Sequence, residues 1–325
     1  MRQAGRYLPE YRDVRQNYPD FLAFISNPKD AAKVTLQPLE RFDLDGAIIF
    51  SDILIIPWAL GQGVRFEVGE GPTLDAIENP EDIKKLTQGL KFDQTITPTL
   101  EALSLVAPKL QEYQNLIGFS GSPWTLACYM IEGQGSPTFS KAIAFARQHP
   151  EDFAHLQSIL IEAVIAYTRK QIDAGSQVIQ LFDSWAGLCP PDLSGDYVVN
   201  ANRLIVEGIR KTHPQCPIIC FPKGSGLNYK SFVETVKPNG ISIDPMAPAN
   251  ILKDLDVVVQ GGLAPEHLLQ GGDLMLSSAS AYLKMFKGEP YIFNLGHGII
   301  KETKPEHVAQ LISFVRSQAA EKVAL

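Results

Sequence analysis

The sequence predicts an α/β fold, a (β/α)8 TIM barrel forming a single domain over residues 1–325, and three observations carry that expectation. Short apolar runs alternate with segments of helical periodicity along the chain. The runs are near-continuously hydrophobic, as in Val257-Val258-Val259, which suits parallel strands buried on both faces. No Pro/Gly/Ser linker or charge block separates them. A doubly wound open sheet is the alternative topology for the same pattern.

Seven runs read as strands: Gly46 to Phe50, Leu116 to Phe119, Val178 to Phe182, Pro217 to Phe221, Gly240 to Ile243, Asp256 to Val259 and Tyr291 to Asn294. A closed barrel needs eight. Met1 stands directly before a polar, Arg-bearing segment that reads as the loop after a strand, so the first strand is expected to be truncated at the N-terminus. Between Leu60 and Leu116 the spacing exceeds one crossover. Val64, Phe66 and Val68 alternate as a short edge strand there, and the rest reads as an insertion carrying extra helix. From Pro150 to Gly175, the residues Phe153, Leu156, Leu160, Ala163, Val164 and Tyr167 form a helical stripe, with Gly175 placed to end it. Near the C-terminus Thr303 and Glu306 have capping-box spacing, Pro305 suits a first turn, and Val308, Leu311, Ile312 and Val315 form the buried face.

Composition bounds the function. With 45% hydrophobic residues in 325, disorder is excluded, and 25 Gly and 23 Pro without a period exclude a collagen-like fibre. The 29 basic residues against 36 acidic ones give a net charge of -7, so neither nucleic acid nor an anionic membrane surface is an expected partner. The apolar stretch Ala47 to Leu60 is broken by Asp52 and Pro57 and is too short to span a bilayer. Met1 to Tyr7 has no apolar core, so no secretory signal is expected in the chain as it stands. Cys128, Cys189, Cys216 and Cys220 are too few for a disulfide scaffold and show no Cys-x-x-Cys or His-x-Cys spacing; a reducing cytosol is expected.

In a barrel, ligands bind at the carboxyl ends of the strands. Asp52 there is either a helix N-cap or a carboxylate aimed into the mouth. His297, between two glycines, is either a plain loop histidine or a group titrating near neutrality. Lys223-Gly224-Ser225-Gly226 lacks the pattern of a nucleotide loop. Cys216 and Cys220 read as buried apolar thiols, without the further ligands a zinc site needs. Arg2 and Arg6 form either a solvated basic terminus or a bidentate carboxylate site.

MRQAGRYLPEYR at Met1 to Arg12, Phe50-Ser51-Asp52-Ile53-Leu54, GFSGSPWTLACYMIEG at Gly118 to Gly133, FDSWAG at Phe182 to Gly187, KGSG at Lys223 to Gly226 and FNLGHGI at Phe293 to Ile299 together resemble the uroporphyrinogen decarboxylases across essentially the whole chain. The resemblance implies a carboxy-lyase with no cofactor and no metal, usually a homodimer, that converts the four acetates of uroporphyrinogen III to the methyls of coproporphyrinogen III in heme biosynthesis. It implies that Arg2 and Arg6, with Gln3 beside them, bind substrate carboxylates, and that Asp52 receives the pyrrole N–H groups. Tyr129, Ser184 and His297 are then polar groups lining the cleft, and Ile48 and Phe182 apolar contacts; Asp52, Arg2, Arg6, Tyr129 and His297 form the expected catalytic set. Two loops depart from the family pattern: Gly261-Gly262-Leu263-Ala264-Pro265 replaces a common Gly-Asn-Leu-Asp-Pro, and Asp244-Pro245 a common Asp-Trp. A zinc- and thiolate-dependent methyltransferase on the same fold, and a non-catalytic tetrapyrrole-binding paralogue, are the competing functions.

Overall fold

The computed structural model describes residues 5–67, 71–87, 89–248, 252 and 255–320. Its strands are β1 Gly46–Ile48, β2 Val64–Glu67, β3 Gly71–Leu74, β4 Asn115–Gly121, β5 Val178–Asp183, β6 Ile218–Pro222, β7 Gly240–Ile243, β8 Val258–Gly261 and β9 Tyr291–Ile292. Seven of them form one sheet in the order β1-β4-β5-β6-β7-β8-β9, every pair parallel. That order never reverses. A doubly wound sheet reverses at its switch point, so the sequential order selects the barrel topology.

The helices are α1 Pro9–Arg15, α2 Phe21–Ile25, α3 Pro28–Arg41, α4 Ile55–Ala59, α5 Pro80–Ile83, α6 Leu90–Val106, α7 Pro123–Glu132, α8 Ser140–Gln148, α9 Pro150–Asp173, α10 Pro191–Ser194, α11 Ala201–Arg210, α12 Tyr229–Val236, α13 Pro265–Gln270, α14 Gly272–Met285 and α15 Pro305–Ala320. The sheet curls so that its two ends share one apolar cluster: Ala47, Ile48 and Ile49 of the β1 region pack in the same core as Leu263, Leu295, Val308 and Leu311. Outside the cluster, Arg316 of α15 reaches back to Asp45, just ahead of β1, at 2.6 Å.

The stripe expected on α9 is its buried face. Phe153, Leu156, Leu160, Ala163, Val164 and Tyr167 are all at most 1% exposed, and each large apolar side chain so placed contributes about 1.5–3 kcal/mol. Pro150 and the acidic Glu151 and Asp152 start the helix, and Gly175, at φ 114°, takes the left-handed conformation just past its end.

The short edge strand expected at Val64 and Phe66 forms as β2, which pairs antiparallel with β3 in a hairpin separate from the main sheet, Val64 opposite Leu74; Val68 lies outside the described residues. One local expectation is corrected. The Thr303 capping box does not form. The helix begins at Pro305, one residue later than such a box requires, and the buried Thr303 hydroxyl has no hydrogen-bond partner among the described residues. The four cysteines are free and buried, and burial pushes their thiols up, Cys216 to about 11. Among the described residues, no helix is long and apolar enough to cross a membrane.

Candidate active site

The direction of the barrel interior is fixed by a hydrogen-bonded trio. Gln260 on β8 donates to Gln180 on β5 at 3.0 Å and to Ser242 on β7 at 2.6 Å, spanning β6. Strand alternation then places Phe182, two residues beyond Gln180, on the same inward face and nearer the carboxyl end. Phe119 and Phe221 share that face through the pairings Phe119 with Gln180 and Phe221 with Phe182. Ile48 joins them, because it pairs with Ile117, two residues before Phe119.

These side chains make a chain of rings around the mouth. Phe119 meets Phe182 edge-on at 5.7 Å between centroids, Phe182 meets Phe221 at 6.2 Å, and Phe221 meets His297 at 6.3 Å. Three of the expected site residues, Ile48, Phe182 and His297, thus belong to one inward-facing apolar wall. Such a wall excludes water, which strengthens any electrostatic interaction made inside it.

Asp52 lies four residues beyond Ile48. One of its carboxylate oxygens accepts the Leu54 amide at 2.9 Å and so starts the turn into α4. The helix-start reading of Asp52 is therefore realised in part, and it orients the carboxylate at the end of β1. Burial, together with the Asp52 charge, pushes the nearby Tyr167 phenol up to about 12 against the hydrogen bonds from Ser51 and Thr99.

Tyr129 on α7 lies beside Trp185, the residue that follows Ser184 in the loop after β5. The Trp185 ring lies 6.2 Å from that of Tyr129 and 4.9 Å from that of Phe139. The Trp185 backbone is held twice: its amide donates to the Thr125 hydroxyl at 3.1 Å, and its carbonyl accepts from Trp124 Nε1 at 3.0 Å. Arg6 is exposed in a turn closed by the Leu8 amide on the Gly5 carbonyl, and no described carboxylate pairs with it. The next residues, Tyr7 and Leu8, anchor that turn in the cluster containing Phe50, Phe119 and Leu295. Arg2 and Gln3 lie outside the described residues.

A helix-facing network behind β5 is absent from the sequence expectation. Asp183, 1% exposed, accepts from Thr125 at 2.6 Å and from Asn202 at 3.1 Å, and the Asn202 carbonyl oxygen accepts from Ser122 at 2.8 Å. Burial raises the Asp183 carboxyl to about 6 although those hydrogen bonds favour its charged form. Sequence does mark Asp183 as the polar residue ending an apolar run, but only strand parity shows that it faces helices. Asp244 does the same for the loop after β6, accepting from the Gly224 and Met246 amides and the Tyr229 hydroxyl, each at 2.8–2.9 Å. Among the described residues, no group of three or more His, Cys, Asp or Glu side chains is arranged to hold a metal ion.

Comparison with known proteins places this geometry. Solved structures with the same fold include a methyltransferase from Methanosarcina mazei, 18% identical, with a TM-score of 0.78 over 94% of this chain and 90% of that one. A B12-independent methionine synthase from Shewanella sp. W3-18-1, 12% identical, aligns with a TM-score of 0.59 over 92% and 89%. The curated relatives are far nearer in sequence. A uroporphyrinogen decarboxylase from Granulibacter bethesdensis is 42% identical over 98% of this chain and 94% of its own, and one from Mesorhizobium japonicum is 43% identical over 98% and 93%. The model of the family described as uroporphyrinogen decarboxylase (URO-D) matches residues 1–318. The chain belongs to the uroporphyrinogen decarboxylase family.

Proposed function

We propose that this chain is a carboxy-lyase that removes the carboxyl groups from the four acetate side chains of uroporphyrinogen III, giving coproporphyrinogen III in tetrapyrrole biosynthesis. The observation that carries the reading is similarity above 40% identity, over 98% of the chain, to proteins bearing that name. The arrangement of the mouth supports it: a carboxylate at the end of β1, an inward wall of aromatic rings, and an arginine on the turn ahead of them.

The chemistry follows from what an acetate on a pyrrole requires. Protonation of a pyrrole ring carbon makes the ring an electron sink. The carbon–carboxyl bond then breaks, its electron pair forms a double bond from the methylene to the ring, and carbon dioxide leaves. A proton added to the methylene gives the methyl group, and loss of the ring-carbon proton restores the pyrrole. Asp52, in a water-poor mouth, accepts pyrrole N–H bonds and stabilises the cationic ring, a preorganised group of the kind typically worth about 10² to 10³ in rate. Arg2 and Arg6 bind carboxylates, with acid duty open to the one nearest the reacting acetate, while Tyr129, Ser184 and His297 orient the macrocycle against Ile48 and Phe182. Gln3 adds an amide to the arginine pair.

A homodimer and a cytoplasmic location complete the proposal. Anaerobic incubation with uroporphyrinogen III, followed by oxidation and chromatography of the porphyrins, tests it. Coproporphyrin is the expected end product; recovery of unchanged uroporphyrin from folded protein would overturn it and leave a binding paralogue.

A further inference from the structure

Lys223 is the first residue after β6, at the carboxyl end of the sheet, two residues beyond Phe221 of the inward wall. Its backbone is clamped to the loop after β5: its amide donates to the Asp183 carbonyl at 3.1 Å, and its carbonyl accepts the Gly187 amide at 2.9 Å. The half-buried side chain carries its ammonium over the Trp185 ring, 5.5 Å from the centroid. No carboxylate of a described residue lies within ion-pairing distance of it. The two buried carboxylates of the neighbouring loops are engaged elsewhere, Asp183 by Thr125 and Asn202, and Asp244 by Gly224, Tyr229 and Met246. A lysine held against an indole and paired with no carboxylate of a described residue is arranged to meet an external anion.

We propose that Lys223 binds a peripheral, non-reacting carboxylate of the macrocycle and thereby sets affinity rather than rate. This rests on the proposed function, which supplies a substrate with acids around its whole rim. Position supports the role. Lys223 and Asp52 stand at the ends of β6 and β1, three strand spacings apart, or about 14 Å along the arc; that leaves room for a ring between a central carboxylate and a rim cation. Because the contact is made equally with the ground state and the transition state, its loss raises KM and leaves kcat nearly alone.

The test compares Lys223→Met and Lys223→Arg with the wild type in steady-state decarboxylation at several salt concentrations, and in binding of uroporphyrin I followed by tryptophan quenching. The expected result is a roughly tenfold higher KM and Kd in Lys223→Met, a weaker salt dependence of both, and values within about threefold of wild type in Lys223→Arg. Unchanged KM and Kd in folded Lys223→Met would overturn the proposal, as would equal losses in the two variants. Failure of the proposed function reads differently: the wild type would then lack turnover, while the Kd contrast between the variants would still decide the role of Lys223.

Discussion

The Thr125 hydroxyl donates to the buried Asp183 carboxylate at 2.6 Å while the same oxygen accepts the Trp185 amide at 3.1 Å, so one side chain of α7 couples the end of β5 to the loop carrying Ser184. The carboxyl titrates near 6 in the folded protein, above its ordinary value of 3.8. Between those values the native state keeps a proton that the unfolded chain releases, so stability falls as pH rises from about 4 to about 6 and then levels. Two pH units correspond to at most about 3 kcal/mol. In Asp183→Asn this fall disappears, while the amide loses an acceptor for Asn202 at a cost of about 1–3 kcal/mol. Denaturant unfolding across that range should show the variant weakest relative to wild type at the acid end; parallel curves would assign the pH dependence elsewhere.

Gly187 and Gly224 touch backbone to backbone. A methyl group at Gly187 would lie 2.6 Å from the Gly224 carbonyl oxygen and 2.8 Å from its Cα, and neither atom can rotate aside. Gly187→Ala therefore forces the loops after β5 and β6 apart, displacing Trp185 relative to Lys223. We expect a loss of about 1–3 kcal/mol in stability together with a raised KM. Thermal melts and steady-state kinetics check this, and a variant with wild-type melting and KM would contradict it.

Asp52→Asn keeps the shape of the turn into α4 but removes the charge that offsets a cationic pyrrole. Turnover should drop by about 10² to 10³. Near-normal kcat in the folded variant would remove Asp52 from the mechanism.

His297 touches Phe221 in the ring wall, and its assigned task is orientation. His297→Asn should lower turnover while keeping the acid and alkaline limbs of the wild-type pH profile. Loss of a limb near pH 6 to 7 would make the imidazole the titrating acid instead.

Much of the fold is legible in the sequence because buried parallel strands must be apolar on both faces. The run at β7, Gly240 to Ile243, coincides with the strand. Departures have local causes. At the end of β1 the Phe50 amide, on the edge away from β4, donates to the Thr35 hydroxyl of α3 at 2.9 Å, a partner the apolar run does not show. The strand at β8 runs on past Val259 through Gln260, whose polarity ends the apolar run but whose amide is satisfied by Gln180 and Ser242 inside the barrel. No one-dimensional pattern reveals such a partner three strands away. The site is legible in the same uneven way. Ile48 and Phe182 share the inward wall that their strand positions imply and His297 joins it from the loop after β9, whereas Asp183 and the Trp185–Lys223 contact depend on which face of a strand end meets a helix or a neighbouring loop. That is decided by packing.

The most direct measurement is the number of carbon dioxide molecules released per macrocycle when wild type and Asp52→Asn are each incubated anaerobically with uroporphyrinogen III. Wild type is expected to release one for each acetate and to end at coproporphyrinogen, with Asp52→Asn slower by two to three orders of magnitude at comparable substrate binding. Full release by both proteins at similar rates would contradict a mechanism centred on Asp52, and no release by folded wild type would contradict the decarboxylase itself.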